Sequence, residues 1–415
     1  MKRMANGPSN TLPGKPLKIA FLHRYGLGGW LCCGGHAMPL LAEKLSASAE
    51  IHFFGPGSTD FVPNELEQRV IQHLMPWQFD RANSRDKWTK TLRFYFALPG
   101  VGWRCRKLGI NFLYWEETLP FGALLLQLFY GRNFAIMVMD FFVRIYTEKR
   151  YWLHWLRNTI EQIDCWSWKK LPFVFVHVAA AKTFLLDRGF ASENVQIVPN
   201  PCNHLIFHPV DSETRRATRL QYGFADHDVV LTHHGILHPN KGNDWILQRF
   251  AAAQPDMPNL KLLLIGDGPE RGRLENLAEQ LGLAGRVMFT GWLPSEDVLN
   301  RTLASMDIGL VMRIGQETDH FHMTDTLNHE MACGKPILAV NLRGIAEFVK
   351  DAKNGYLFSV DEPDVFCQRL RELEADSDLR QRLGAAALET SRKVSAIEVC
   401  AQHMADAILA ATSAK

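Results

Sequence analysis

Lys241 stands in the run Gly235-Ile-Leu-His-Pro-Asn-Lys241-Gly242, directly after an apolar stretch, Val229 to Thr232, that reads as a buried strand. Ligands of open parallel sheets bind outside the carboxyl ends of the strands. An ammonium on a flexible stem at such a place neutralises a diphosphate as a compact point charge. Further on, Glu317-Thr-Asp-His-Phe-His-Met-Thr-Asp-Thr326 is unusually polar for a connection between a strand and a helix. Thr324, Thr326 and the backbone N–H groups there suit phosphate and sugar hydroxyls, which marks this loop as the leading candidate for an active site. His320, His322 and His329, with Cys333 on the helix face of His329, invite a metal. Their spacing matches no usual zinc pattern, so neither a metal nor another cofactor is expected. The doublet His233-His234 and His238 read as strand-end and loop residues.

Glycines mark three further places. A strand over Leu17 to Leu22 runs into a turn holding Gly26, Gly28, Gly29, Gly34 and Gly35, then a helix from Met38 to Leu45. After Gly26-x-Gly28 the third fingerprint position is Leu31, and the next strand, Glu50 to Phe54, stops at Gly55-Pro56-Gly57 without an acid. A dinucleotide site needs both, so a dehydrogenase is excluded. Gly34 and Gly35 still permit close approach of backbone to a phosphate at the following helix start. Gly266-Asp-Gly268-Pro269 repeats the arrangement after the strand Lys261 to Ile265.

The elements that must position these residues alternate. In the first half, a helix over Phe121 to Phe129 is followed by strands over Phe134 to Met139, Phe173 to Val178 and Val195 to Val198, with a helix from Ala180 to Asp187. The second half restarts at Val229 and continues through strands at Val287 to Thr290, Ile308 to Val311, Pro336 to Ala339 and Tyr356 to Phe358, with a helix around His329 to Cys333. Alternating strands and helices predict parallel sheets with right-handed crossovers. A chain of 415 residues suits two domains, and Pro199, Pro201 and Pro209 place the boundary near 208. The expected division is a flexible N-terminus over 1–16, a Rossmann-like domain over 17–207, a second over 208–392, and a closing helix over 393–415 whose stripe Ile397, Cys400, Ala401, Met404 and Ile408 must dock on another surface.

With Lys241 already noted, Ile265-Gly-Asp-Gly-Pro269, Val287-Met-Phe-Thr-Gly291, Met331-Ala-Cys-Gly-Lys-Pro336 and Gly344-Ile-Ala-Glu347 resemble, in order and spacing, the family 4 retaining glycosyltransferases of the GT-B fold. The resemblance is clear from Leu231 to Phe358 and fainter at Ile197-Val-Pro-Asn-Pro201 and the Gly34-Gly35 turn; it leaves out 58–115. It implies an α/β architecture of two Rossmann-like parallel-sheet domains facing a cleft, with the C-terminal helix crossing back to the first domain. The second domain would bind a nucleoside diphosphate sugar, with Lys241 on the diphosphate and backbone near Trp292 reading the base, and the acceptor would sit on the first domain.

The departures from that family fall where the chemistry is. Its members carry an arginine where this chain has Ile236. They carry two glutamates with seven residues between them, whose places here hold Phe321 and His329; Glu330 is adjacent, and Glu317 would serve as the earlier acid if the loop is longer. A His-Asp pair after the fourth strand reads Met139-Asp140, without the histidine. Asp140, Glu317, His329 and Glu330 are therefore the catalytic candidates. The donor-binding candidates are Gly34, Gly35, Gly235, Lys241, Gly266, Gly268, Trp292, Thr324 and Thr326.

From Lys87 to Trp115 the chain carries Lys87, Lys90, Arg93, Arg104, Arg106 and Lys107 with no acid, interleaved with Trp88, Phe94, Tyr95, Phe96, Trp103, Phe112, Tyr114 and Trp115. Basic plus aromatic is the signature of a membrane interface, and equally of an aromatic core with a solvated rim. The apolar stretch Leu119 to Val143 is interrupted by Gly131-Arg132-Asn133, and neither piece spans a bilayer. A net charge of +2 does not point to nucleic acid. Eight scattered cysteines without a C-x-x-C pair suit a reducing cytoplasm. The expectation is a cytoplasmic transferase, peripheral on the cytoplasmic membrane face, that moves a hexose from a UDP- or GDP-sugar to a glycan or lipid-linked acceptor. The alternative is a non-catalytic nucleotide-sugar binder or partner subunit of the same fold.

Overall fold

The computed structural model describes residues 16–31, 36–79, 87–139, 141, 144 and 154–413. Gly34, Gly35 and Asp140 lie outside them. Two sheets carry the fold, and every pairing in them is parallel. The first contains β1 (Leu17–Leu22), β2 (Ala49–Ser58), β3 (Val70–Phe79), β4 (Phe112–Trp115), β5 (Phe134–Val138), β6 (Val174–Val176) and β7 (Val195–Ile197), in the order β3-β2-β1-β4-β5-β6-β7. The second contains β8 (Val229–His234), β9 (Leu260–Ile265), β10 (Val287–Phe289), β11 (Ile308–Val311), β12 (Ile337–Val340) and β13 (Gly355–Phe358), in the order β10-β9-β8-β11-β12-β13. Each order reverses once, between β1 and β4 and between β8 and β11, and such a switch point opens a crevice at the carboxyl ends of the strands.

Inner strands of a parallel sheet are buried on both faces, so they read as near-continuous apolar runs. In β1 alternate residues serve opposite faces: Ala20 and Leu22 pack into one cluster with Leu113 and Trp115 of β4, while Ile19 and Phe21 pack into another with Phe112 and Tyr114. The second of these clusters also takes in the last helix, Ile397–Ser413. Its buried stripe Ile397, Cys400, Ala401, Met404, Ala405 and Ile408 lies against Met38, Leu41, Ala42 and Leu45 of the helix Met38–Ser46, and Lys44 Nζ donates to Gln402 Oε1 at 2.8 Å. The chain therefore ends on the first sheet's layer. Each fully buried Leu, Ile or Met side chain contributes about 1.5–3 kcal/mol, so this stripe anchors the helix firmly.

Several elements differ from expectation. β2 runs through Gly55-Pro56-Gly57 to Ser58, with a shift of register against β3 between Pro56 and Gly57. A bulge of this kind accommodates a residue that cannot donate to the ladder. The helix expected from His329 to Cys333 starts earlier, at Asp325, and ends at Ala332. The basic and aromatic segment splits. Phe94, Phe112, Tyr114 and Trp115 are buried core residues, whereas the helix Lys87–Leu108 turns Leu92, Phe96 and Trp103 outward. No helix among the described residues is long and apolar enough to cross a membrane.

Candidate functional site

At the carboxyl ends of β8 and β9 two backbone segments lie in contact. A methyl group at Gly266 would stand 2.0 Å from the Gly235 carbonyl oxygen, and one at Gly268 would stand 2.4 Å from that of Leu237. Gly266 also has φ +128, a conformation open to glycine. Both glycines are thus required for the loop Gly235–Leu237 to rest on the loop Gly266–Gly268, where Gly235 N donates to the Ile265 carbonyl at 2.9 Å and Leu237 N to that of Asp267 at 2.9 Å. Lys241 follows on the same loop, within electrostatic reach of His233 and His234. The residue ends a short 3-10 turn, Pro239–Lys241, two positions before the helix Asn243–Ala253.

Behind His234, which lines the cavity between the domains, lies a column of stacked rings. His329 stacks on Phe207 with centroids 3.7 Å apart and on His234 at 5.3 Å. Burial lowers the His329 imidazole to about 3, with a smaller push from His36. Burial also holds His234 well below its ordinary range, reinforced by His329, His233 and Lys241 and opposed by Asp325. His233 is lowered to about 4 by burial, against the hydrogen bond between its Nδ1 and the Leu310 carbonyl. All three are neutral imidazoles at pH 7. Among the described residues, Nε2 of His234 and Nδ1 of His329 have no hydrogen-bond partner.

The two threonines hold this column in place. Thr326 Oγ1 donates to the His234 carbonyl at 2.9 Å, and Thr324 Oγ1 accepts from Leu327 N at 3.2 Å, capping the helix Asp325–Ala332. Asn200 ties the same helix to the segment after β7: its Nδ2 donates to Asp325 Oδ1 at 2.6 Å and its carbonyl accepts from Asn328 Nδ2 at 2.8 Å.

Glu330 lies on the opposite side of that helix, 0% exposed. It packs beneath Gly309 of β11 and meets Thr232 of β8, its Oε1 2.8 Å from the Thr232 hydroxyl. Burial raises its carboxyl to about 8. A methyl group at Gly309 would fall 2.7 Å from Glu330 Cβ. Glu330 is an uncharged carboxyl packed under the second sheet, not a base presented to the cleft.

The polar loop divides between two tasks. Its start, a 3-10 turn over Glu317–Phe321, docks on the first domain. Glu317 meets Arg144 at 2.5 Å, and Arg144 also holds Glu161. Phe321 is buried between Phe141 and Phe184, with ring centroids at 5.0 and 4.9 Å. Close by, the carboxylate of Glu347 accepts from Ala179 N at 2.6 Å and Ala180 N at 2.7 Å, satisfying two of the free N–H groups at the start of the helix Ala179–Leu186. The loop's end, from Thr324, holds the column of rings.

Between the domains lies a cavity of about 610 Å³, walled by Leu31, His36, Pro39, Phe61 and Pro63 from one side and by Ile206, His234, Gly235, Ile265 and the stretch Trp292–Glu296 with Leu299 from the other. A volume of this size suits a nucleotide. Trp292 is 62% exposed and Phe61 78%. The structure thus places Gly235 and Trp292 in the wall of the cavity, Gly266 and Gly268 against the loop Gly235–Leu237, Lys241 within electrostatic reach of His234 and His329 stacked on His234; Thr326 holds the His234 carbonyl, Thr324 caps the helix Asp325–Ala332, and Glu317 is carried away to the domain contact. Phe61 and His234 were missed as site residues by sequence reasoning. The doublet His233-His234 at a strand end was the available signal for one; for Phe61 no local motif exists. Among the described residues no group of three or more His, Cys, Asp or Glu side chains is arranged to hold a metal.

Comparison with known proteins agrees with this architecture. Residues 214–390 match the family described as glycosyl transferases group 1. The chain is similar to the lipopolysaccharide core biosynthesis glycosyltransferase LpsE of Rhizobium meliloti, 31% identical over 166 residues, 40% of this chain and 45% of that one. It is also similar to the N-acetyl-alpha-D-glucosaminyl L-malate synthase of Bacillus anthracis, 28% identical over 211 residues, 49% of this chain and 53% of that one. The chain spans about half the length of these curated relatives. The crystal structure of Anabaena Alr3699/HepE in complex with UDP-glucose superposes with a TM-score of 0.69 at 15% identity, covering 95% of this chain and 100% of that one. Over residues 214–390 the chain is thus similar to the glycosyl transferases group 1 family, and it has the GT-B fold of two parallel-sheet Rossmann-like domains.

Proposed function

We propose that this protein transfers a hexosyl group from a UDP- or GDP-sugar, bound on 208–392, to a glycan or lipid-linked acceptor bound on 17–207, with the C-terminal segment 393–415 closing back on the first domain. The observation that carries the reading is the placement of Lys241 after β8, at the switch point of the second sheet, within electrostatic reach of His234, which walls the cavity between the domains and whose Nε2 has no partner among the described residues. In transfer, the acceptor oxygen bonds to the anomeric carbon as the bond from that carbon to the β-phosphate oxygen breaks. The acceptor proton passes to the departing phosphate oxygen, which shares its face of the sugar when configuration is retained. Charge develops on the diphosphate, where Lys241 and the N-terminus of the helix Asn243–Ala253 stabilise it. Retention rests on the family resemblance. The relatives named above support the class of chemistry: one is a glycosyltransferase by name, and the Anabaena protein holds UDP-glucose.

The acceptor side points to a membrane surface. Along the helix Lys87–Leu108, Leu92, Phe96 and Trp103 form an outward stripe, Phe96 75% and Trp103 58% exposed, and Leu128 and Phe129 of the helix Gly122–Phe129 are exposed as well. Arg93, Arg104, Arg106 and Lys107 are exposed on the same helix. Apolar side chains at headgroup depth with basic flanks suit anionic lipid. Co-sedimentation with anionic but not neutral liposomes at low salt supports this placement; indifference to anionic liposomes contradicts it.

A second reading, a binder without transferase activity, is favoured by one observation: the two places that hold glutamates in the resembling family hold Phe321, buried in a domain contact, and the neutral His329. Incubation with UDP- and GDP-hexoses decides. Release of nucleoside diphosphate with a glycosylated product supports the transferase; tight binding with no turnover on any glycan or lipid-linked acceptor supports the binder.

A further inference from the structure

Phe61 is a large apolar ring on a segment that is held in place. The segment joins β2 to the helix Asn64–Arg69. Ser58 Oγ donates to Asp60 Oδ2 at 3.0 Å and accepts from Asp60 N at 3.1 Å. The Asp60 backbone rests so closely on Gly28 that a methyl group there would lie 2.3 Å from the Asp60 carbonyl oxygen. A phenyl ring left in water on such a tethered segment forgoes the burial that aromatic side chains ordinarily contribute, and it has no polar atom to orient it. What it offers is a flat stacking face.

Trp292 offers another from the opposite domain. It follows Gly291, whose carbonyl accepts from Gly266 N at 3.0 Å, so its backbone is fixed to the loop that also packs against Gly235. Both rings wall the same cavity, which also meets His234 and Gly235, and Lys241 lies within electrostatic reach of His234. Resting on the donor reading above, with the diphosphate at Lys241, we infer that Phe61 and Trp292 close on the nucleoside base from two sides, so that binding of the nucleotide itself draws the two domains together. Stacking of this kind accepts any base, because every base has a π-face; the choice between uracil and guanine falls to polar backbone atoms beside Trp292.

The test measures UDP and GDP affinity by calorimetry, and the radius of gyration with and without nucleotide by X-ray scattering, for the wild type, Phe61→Ala, Phe61→Trp and Trp292→Ala. Phe61→Ala weakens the better nucleotide on the order of tenfold, leaves the melting temperature of the ligand-free protein unchanged, and reduces the compaction on binding; Phe61→Trp restores both. An affinity within about twofold of the wild type, even with a raised KM for acceptor, overturns the inference and assigns Phe61 to the acceptor. Absence of nucleotide binding by the wild type overturns the donor reading and this inference together, whereas unaltered binding by Phe61→Ala overturns the inference alone.

Discussion

The rings of Phe321 and Phe184 lie 4.9 Å apart although they belong to different domains. Phe321 takes the place where the resembling family has its earlier glutamate, and Arg343 sits over the same ring at 5.5 Å. The loop that looked most like an active site is thus, at its start, the seam that joins the two halves.

Phe321→Ala removes a buried ring from that seam. Phe-to-Ala changes in cores cost about 3–5 kcal/mol, and the variant should melt at a lower temperature and show a larger radius of gyration without nucleotide. A variant as stable and as compact as the wild type would show that the seam holds nothing.

Glu347→Gln keeps the shape of the second contact and removes its charge. Hydrogen bonds from helix N-terminal N–H groups to an ionised carboxylate are stronger than those to a neutral amide. The amide also has one accepting oxygen where the carboxylate has two. Urea unfolding should show a loss on the order of 1 kcal/mol, and no change would mean that the two N–H groups at Ala179 and Ala180 find equal partners elsewhere.

Glu330→Gln tests the buried carboxyl through pH. The Thr232 hydroxyl lies 2.8 Å from Glu330 Oε1 and 3.0 Å from the Ile308 carbonyl, and its single hydrogen serves one of them. A protonated Glu330 that donates to Thr232, while Thr232 donates to Ile308, satisfies the group. Burial raises this carboxyl from 4.5 to about 8, so between those values the unfolded chain binds fewer protons than the native one. Stability falls as pH rises through that window. Glu116, raised to about 8, acts in the same sense, so the informative quantity is the difference: Glu330→Gln should gain on the wild type between pH 5 and pH 8. Parallel pH profiles would refute the assignment.

The second domain was legible because its chemistry is local. Gly266-x-Gly268, the loop ending in Lys241 and the Met331 to Pro336 stretch lie within single strand-loop-helix units, and their strands are short apolar runs between turns. The first domain was less so. β3 reads Val-Ile-Gln-His-Leu-Met-Pro-Trp-Gln-Phe and lies at a sheet edge, where polar residues and a proline are tolerated. The helix Lys87–Leu108 contains Pro99, Gly100 and Gly102, residues that argue against a helix unless tertiary packing overrides them, as it does where Gly102 meets Phe129. Glu317 and Phe321 could not be assigned from their own segment, because their partners Arg144 and Phe184 lie more than a hundred residues away and on the other sheet's layer. The aromatic run to Trp115 mixed two roles that composition cannot separate: β4 buries its rings, and the helix before it buries Phe94 while exposing Phe96 and Trp103.

The central claim is that the crevice at Lys241 binds a nucleoside diphosphate sugar and supports departure of the diphosphate. Lys241→Ala decides it most directly, since the loop is solvent-accessible and the substitution should spare the fold. With UDP- and GDP-hexoses and a glycan acceptor, the variant should keep the wild-type melting temperature in the absence of ligand and lose transfer about a hundredfold, as removal of one stabilising donor to a developing anion does elsewhere. Transfer at the wild-type rate by Lys241→Ala would contradict the account.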